Sequence, residues 1–285
     1  MSRNRTIATS QAQIRLTDSG GDGMPLVLLH GAGTSRAVFD LQFDSQLAER
    51  HRLLAIDLPG HGESSDAREP AFGYTMPGFA AVVGETLAEL GVERFAMFGW
   101  SLGGHVAIEL MSRLPAIAGT MIMGAPPISP GPLGMLRGFH TNWDMLLASK
   151  EKFTARDMAR YLELCFGTTP PAHAMNDIIR TDGRARVHVG RSMMRGEGAD
   201  QRRTVEQSTR PVAIVHGEHD PLVRLGYLQS LDCEYLWDGH VHVLEDCSHA
   251  AFRDQPERFN ALLLRFAADA EAYREPVAEP VRRAS

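Results

Sequence analysis

Six short apolar runs, each closed by a turn, constrain this chain more than any other feature: Leu26–Gly31, Arg52–Asp57, Phe95–Gly99, Gly119–Gly124, Val212–Gly217 and Val241–Leu244. They are apolar nearly throughout rather than alternating, the pattern of strands covered on both faces of a parallel sheet. Helical spacing fills the intervals. Gly78–Leu90 carries Phe79, Val82, Val83, Leu87 and Leu90 with Gly91 as a stop, and Gly104–Leu114 and Gln255–Ala268 read alike. Strand–helix alternation implies an α/β fold, a doubly wound, mostly parallel sheet.

The alternation breaks over residues 126–210. Pro126, Pro127, Pro130 and Pro132 open that segment, helix-like patches follow at Trp143–Lys150 and Asp157–Cys165, and no strand pattern is present. A helical insertion in such a sheet sits above its C-terminal edge, where ligands bind. The expected organisation is therefore a core of residues 1–125 and 211–270, a helical cap of 126–210, and a frayed tail of 271–285.

The third run leads into Phe98-Gly99-Trp100-Ser101-Leu102-Gly103-Gly104-His105. A Gly-x-Ser-x-Gly between a strand and a helix is a nucleophile elbow: a turn so tight that the serine backbone is strained and its neighbours lack room for side chains. The hydroxyl then stands above the sheet edge at a helix N-terminus, which favours developing negative charge. Ser101 is thus the candidate nucleophile, and it needs a base. Of 12 histidines, His105 lies in the helix leaving the elbow and is expected to point away. His30 and His61 sit in His-Gly turns as braces. His249 follows the last strand and returns to the same edge as Ser101, so it is the expected base. Asp220, in Gly217-Glu218-His219-Asp220-Pro221, is the expected acid, with Glu218 and Asp246 as rivals. The order Ser–Asp–His suits this architecture. An oxyanion hole is expected from the N–H of Leu102 and that of Ala32, in the small-residue loop His30–Gly33.

A metal reading of His240, His242, Asp246 and His249 is disfavoured, because Val241, Val243 and Leu244 suggest a buried strand and no second His/acid cluster completes a binuclear set. No metal or other cofactor is expected. A net charge of −6 with scattered arginines excludes a nucleic-acid partner. The absence of a long apolar run excludes a membrane span, and the N-terminal MSRNRTIATSQAQIRL has no signal-peptide core. Cys165, Cys233 and Cys247 cannot all pair; they read as reduced buried thiols of a cytoplasmic protein.

Together HGAG at 30–33, DLPGHGES at 57–64, GWSLGG at 99–104, GEHDP at 217–221 and His249 resemble the α/β-hydrolase superfamily over about residues 25–270. More narrowly, FGWSLGGH, RTDGRAR at 180–186 and LWDGHVHVLEDCSHAAFR at 236–253 look like the α/β-hydrolase type of N-acyl homoserine lactonase, the quorum-quenching enzymes. That resemblance implies Ser101, His249 and Asp220 as nucleophile, base and acid. It also implies Tyr161 in the cap as a substrate contact and Trp100 as a pocket wall. Two departures stand out: Ala32 where the family has asparagine, and aspartate at 220, where the family's acid can be a glutamate. The expected partner is a small lactone or ester, with the cap methionines Met145, Met158 and Met175 suited to an acyl tail. A carboxylesterase, a carbon–carbon hydrolase and a non-catalytic lactone-binding protein are the other readings. The sequence leaves oligomeric state open.

Overall fold

A computed structural model describes residues 2–141 and 143–274; Met1, Asn142, the side chains of Trp143, Met145 and Leu146, and residues 275–285 lie outside the described residues. The strands are β1 Arg3–Ala8, β2 Gln13–Asp18, β3 Pro25–Leu29, β4 Arg52–Ile56, β5 Phe95–Trp100, β6 Ile117–Met123, β7 Val212–Gly217 and β8 His242–Leu244. They form one sheet in the order β1-β2-β4-β3-β5-β6-β7-β8. From β4 to β8 every pairing is parallel, whereas β1 and β2 join antiparallel at one edge. All six apolar runs are strands. The edge hairpin was not foreseen, because RNRTIA and QIRLTD expose one side and never form an apolar run.

The longer helices are α1 Met76–Glu89, α2 Leu102–Met111, α3 Pro132–Gly138, α4 Ala155–Phe166, α5 Ala174–Arg180, α6 Gly183–Arg195, α7 Gln201–Glu206 and α8 Pro256–Ala272. Pleating divides the central strands between two cores. Leu26, Leu28, Ala96, Phe98 and Trp100 pack toward Phe259, Leu263 and Phe266 of α8. Val27, Leu29 and Met97 pack toward Phe79 and Val83 of α1 and Val106 of α2. Both faces are therefore covered, as the near-continuous apolar runs require. Helix α8 continues to Ala272, past the expected start of the tail, and Arg94 fastens its end by donating to the carbonyls of Ala270, Glu271 and Tyr273.

Between β6 and β7 the chain makes α3 to α7 and the 3₁₀ turn Trp143–Ser149. Among the described residues, no helix is long and apolar enough to cross a membrane. The loops after β3 and β4 lock together. Arg36 pairs with buried Asp57 and with Glu63. His30 donates from Nδ1 to the Gly31 carbonyl and accepts the Leu58 N–H at Nε2. Its ring meets that of His61 at 5.2 Å.

Burial lowers the pKa of His30 to about 4 and that of His61 to about 3. Unfolding returns both to about 6.5, so between these limits the unfolded chain binds more protons. The stability held by keeping them neutral is complete above pH 6.5 and is lost as pH falls through about 4. Each histidine contributes up to about 1.4 kcal/mol per pH unit in that window. Thermal unfolding followed from pH 7.5 to pH 4.5 is expected to show a falling Tm below pH 6.5; a flat profile would contradict this account.

Candidate active site

Ser101 links β5 to α2 with φ 53° and ψ −117°, a left-handed backbone in a non-glycine residue. Such a conformation costs about 1–3 kcal/mol and persists only where its surroundings enforce it. The surroundings are visible. The Ser101 N–H donates to the Met123 carbonyl at 2.8 Å. A Cβ on Gly103 would sit 2.1 Å from the Leu29 carbonyl oxygen, and one on Gly99 would sit 2.4 Å from that of Gly103. Neither position admits a side chain, so the elbow is held between β3, β5 and β6.

Asp220 lies in the turn after β7. Its Oδ1 accepts the N–H groups of Leu222 (2.8 Å) and Val223 (3.1 Å), and its Oδ2 is 2.8 Å from His249 Nδ1. The two side chains are each 1% exposed. Burial pushes the Asp220 carboxyl up, but the charge and hydrogen bond of His249 and the backbone bond from Leu222 outweigh it, and the net shift is downward. An ionised carboxylate only accepts, so Nδ1 carries a proton, and in the neutral imidazole Nε2 keeps its lone pair. That Nε2 is buried and without a hydrogen-bond partner among the described residues. Gly124 makes room for the ring, because a Cβ there would meet His249 Cε1 at 2.5 Å.

Ser101, His249, Ala32 and Leu102 all line one cavity of about 110 Å3. Leu102 opens α2, where no preceding turn offers its N–H a carbonyl. Tyr161, from α4, lines the same cavity, and its hydroxyl donates to the Ala32 carbonyl at 3.0 Å. Cys165 is also there, but burial raises its thiol to about 12, so it stays protonated and poorly nucleophilic.

Several expectations need correction. Trp100 is fully buried and is not among the cavity's lining residues. Its Nε1–H donates to the His249 carbonyl at 2.9 Å, and its ring lies 5.7 Å from the imidazole, so it supports His249 from beneath. His105 does not point away. It is one helical turn past Ser101, on the same side, and lines the cavity. Its Nδ1 donates to Gln201 Oε1 at 2.8 Å, and burial lowers its pKa to about 4, so it is neutral near pH 7. The i, i+4 spacing from Ser101 was the sequence signal for this placement.

Glu218 and Asp246 lie away from His249: Glu218 accepts the Asp246 N–H, and the Asp246 side chain is 90% exposed. The disfavoured metal set does not assemble: the His240 and His242 rings pack at 4.4 Å, with His242 against Asp238 and Trp237, but His249 is paired with Asp220 and the Asp246 side chain is exposed. Glu218, His219 and Asp246, all exposed, form the close His/acid group among the described residues. Cys233 is half-buried rather than buried. Met158 and Met175 do not line the cavity; Met135 and Met193 do, which the sequence reading missed.

The model of the alpha/beta hydrolase family matches residues 26–262. A curated relative, the pimeloyl-[acyl-carrier protein] methyl ester esterase of Aeromonas hydrophila, is 30% identical over 261 residues, 86% of this chain and 96% of its own. A 2-hydroxy-6-oxononadienedioate/2-hydroxy-6-oxononatrienedioate hydrolase of Pseudomonas sp is 25% identical over 276 residues, 90% of this chain and 92% of its own. Among solved structures, the N-acyl homoserine lactonase AidH complexed with N-butanoyl homoserine is 36% identical with a TM-score of 0.93, covering 96% of this chain and 100% of AidH. A mutant of AidH complexed with N-hexanoyl homoserine lactone matches with a TM-score of 0.92.

The Trp100 bond makes a direct prediction. Trp100→Phe retains an aromatic ring and leaves the buried His249 carbonyl without its donor, at a cost of about 1–3 kcal/mol. Urea unfolding is expected to show a lower midpoint with an unchanged slope. An unshifted midpoint would mean that the bond contributes nothing to the fold.

Proposed function

The chain belongs to the alpha/beta hydrolase family, and we propose that it is a serine hydrolase opening the lactone ring of N-acyl homoserine lactones. One observation carries the mechanism: the Asp220–His249 bond places the proton on Nδ1 and leaves Nε2 as an acceptor in the cavity shared with Ser101. In this reading His249 Nε2 takes the Ser101 proton as Oγ attacks the lactone carbonyl carbon. The oxyanion meets the N–H groups of Ala32 and Leu102, an arrangement worth about 3 kcal/mol per donor. The ring carbon–oxygen bond then breaks, and His249 returns its proton to the ring oxygen. The product of this step is an acyl-enzyme carrying a free alcohol. Water gives its proton to His249 and attacks the acyl carbon, Ser101 leaves with that proton, and the N-acyl homoserine departs. Asp220 stays ionised throughout and stabilises the imidazolium.

Residues 126–210 act as the cap in this scheme, since Phe139, Tyr161 and Val189 supply cavity walls opposite Ser101. The alcohol remains tethered to the acyl group, so the cap must admit water before the ring re-closes. The lactone itself is favoured by likeness to AidH along nearly the whole chain, at 36% identity. The same residues serve simple carboxylic esters, the chemistry named for the Aeromonas relative, and that is the second reading.

Ser101→Ala is expected to lower turnover of p-nitrophenyl acetate by a factor of 10³ or more, on the order of what loss of a serine nucleophile costs. Asp220→Asn is expected to lower kcat by on the order of 10⁴, because the imidazole loses its tautomer. Activity indifferent to Ser101→Ala would refute the serine mechanism. Mass analysis of N-hexanoyl homoserine lactone after incubation should show the gain of one water. Unchanged lactone beside a cleaved ester would leave the esterase reading instead.

A further inference from the structure

The walls of the cavity at Ser101 are mostly apolar, among them Met135, Phe139, Leu164, Val189, Met193 and Leu222. Most of its polar side chains are already engaged. Ser101 and His249 carry the acyl transfer, the Tyr161 hydroxyl donates to the Ala32 carbonyl, and Asp144 pairs with Arg160. The Cys165 thiol stays protonated and is a weak donor and acceptor. His105 is left, and acylation has no use for it. It is 4% exposed, at a place in α2 where a leucine would pack without the cost of burying a polar ring.

The ring is held in one sense. Its Nδ1 is bound to Gln201 Oε1 at 2.8 Å, and Gln201, 5% exposed at the start of α7, does not line the cavity. An amide oxygen only accepts, so Nδ1 carries the proton and Nε2 of the neutral ring is an acceptor. Burial keeps the ring neutral near pH 7, helped by the charge that His249 can carry. No hydrogen bond to Nε2 is made by any of the described residues. The side of the ring turned from Gln201 therefore brings a free lone pair to the cavity. Two imidazole acceptors share this space: Nε2 of His249, from the loop after β8, and Nε2 of His105, from α2.

An acyl-enzyme is hydrolysed only if a water is held at the acyl carbon, and a buried water needs about two to four polar partners. The apolar walls supply none. A water that donates one O–H to each imidazole has both hydrogens engaged and keeps its lone pairs for the carbon on Ser101 Oγ. We propose that His105 is a catalytic residue of the second half-reaction, its Nε2 holding the water that hydrolyses the acyl-enzyme. This rests on the reading of Ser101 as the nucleophile, and not on the leaving group being a lactone. The O–H bond facing His249 breaks, its proton passes to Nε2 of that ring, and the oxygen bonds to the acyl carbon. The carbon–Oγ bond then breaks and Ser101 takes the proton. The second O–H stays hydrogen-bonded to His105, which neither gains nor loses a proton. A water already in place competes with the tethered alcohol that would re-close a lactone.

The test is a partition experiment on the full chain with p-nitrophenyl acetate and added methanol. Either nucleophile gives a proton to His249, but methanol has no second O–H for His105. The ratio of methyl acetate to acetate formed reads this competition whichever step limits turnover. It is expected to rise about tenfold in His105→Phe, the loss of one ordinary hydrogen bond, and to stay within about twofold of the unmodified protein in His105→Gln, which keeps an acceptor. Gln201→Leu, which frees Nδ1, should move the ratio in the same direction and serves if His105→Phe fails to fold. A ratio unchanged in both His105→Phe and Gln201→Leu overturns the assignment whatever happens to kcat, since a merely structural change slows both nucleophiles alike. So does a loss confined to N-hexanoyl homoserine lactone with the acetate ratio unchanged, which makes His105 a contact for the substrate's amide N–H. Failure of the serine reading appears separately, as acetate turnover insensitive to Ser101→Ala.

Discussion

One backbone contact fixes the elbow: Gly103 lies against the Leu29 carbonyl, where a Cβ would sit at 2.1 Å. It joins the start of α2 to the end of β3 and so sets the elbow at the point where two parallel strands deliver their C-terminal ends. Ser101 pays for this geometry with a left-handed backbone. The return is positional: the hydroxyl, the Leu102 N–H and the loop after β3 come to one cavity from elements that the sheet holds rigidly.

Trp100 shows how the elbow is tied to residues far along the chain. A tryptophan in the last position of β5 points away from the hydroxyl side, into the core with Phe166 and Phe252. From there its N–H reaches the carbonyl of His249, and the imbalance of a buried indole donor is removed by the same bond that fixes the loop after β8. His249 is thus gripped twice, at its backbone by Trp100 and at Nδ1 by Asp220. Asp220 is itself held by two backbone N–H groups from its own turn. Gly124 leaves room for the imidazole, since a Cβ there would meet its Cε1 at 2.5 Å.

The sheet was legible because parallel strands buried on both faces write themselves as apolar runs, and all six such runs are strands. The hairpin β1–β2 was not, since an edge strand with one wet face carries half the signal. Ser101, Asp220 and His249 could be picked from strand ends in chain order, and the fold brings all three toward one edge. Side-chain direction was the weak point. His105 was set aside by its place in a helix, yet its i+4 relation to Ser101 puts it on the cavity side. Trp100 was assigned to the pocket from likeness, whereas strand alternation sends it to the opposite face from Met97, into the α8 core. The insertion between β6 and β7 was legible only as a segment without strands; which of its methionines face inward depends on helix packing that no short pattern encodes.

RTDGRAR at 180–186 carried the family likeness, although none of its residues lines the cavity. Its chemistry is fastening. Arg180 donates to the Ser64 carbonyl, and the Asp182 N–H to that of Gly60, so the motif grips the loop after β4. The Asp182 carboxylate caps α6 and accepts the Tyr74 hydroxyl. Arg186, buried, donates to the carbonyls of Lys150 and Glu151 and lies 4.0 Å over the Phe153 ring. Phe153 packs at 5.5 Å on Tyr161, whose hydroxyl ends on the Ala32 carbonyl. The contacts form one unbroken path from the core, through the insertion, back to the loop that offers the Ala32 N–H. A carbonyl held from one side orients the peptide on the other, and the Ala32 N–H lies one peptide before that carbonyl. The motif therefore bears on the loop after β3 through side-chain packing that ends on the Ala32 carbonyl.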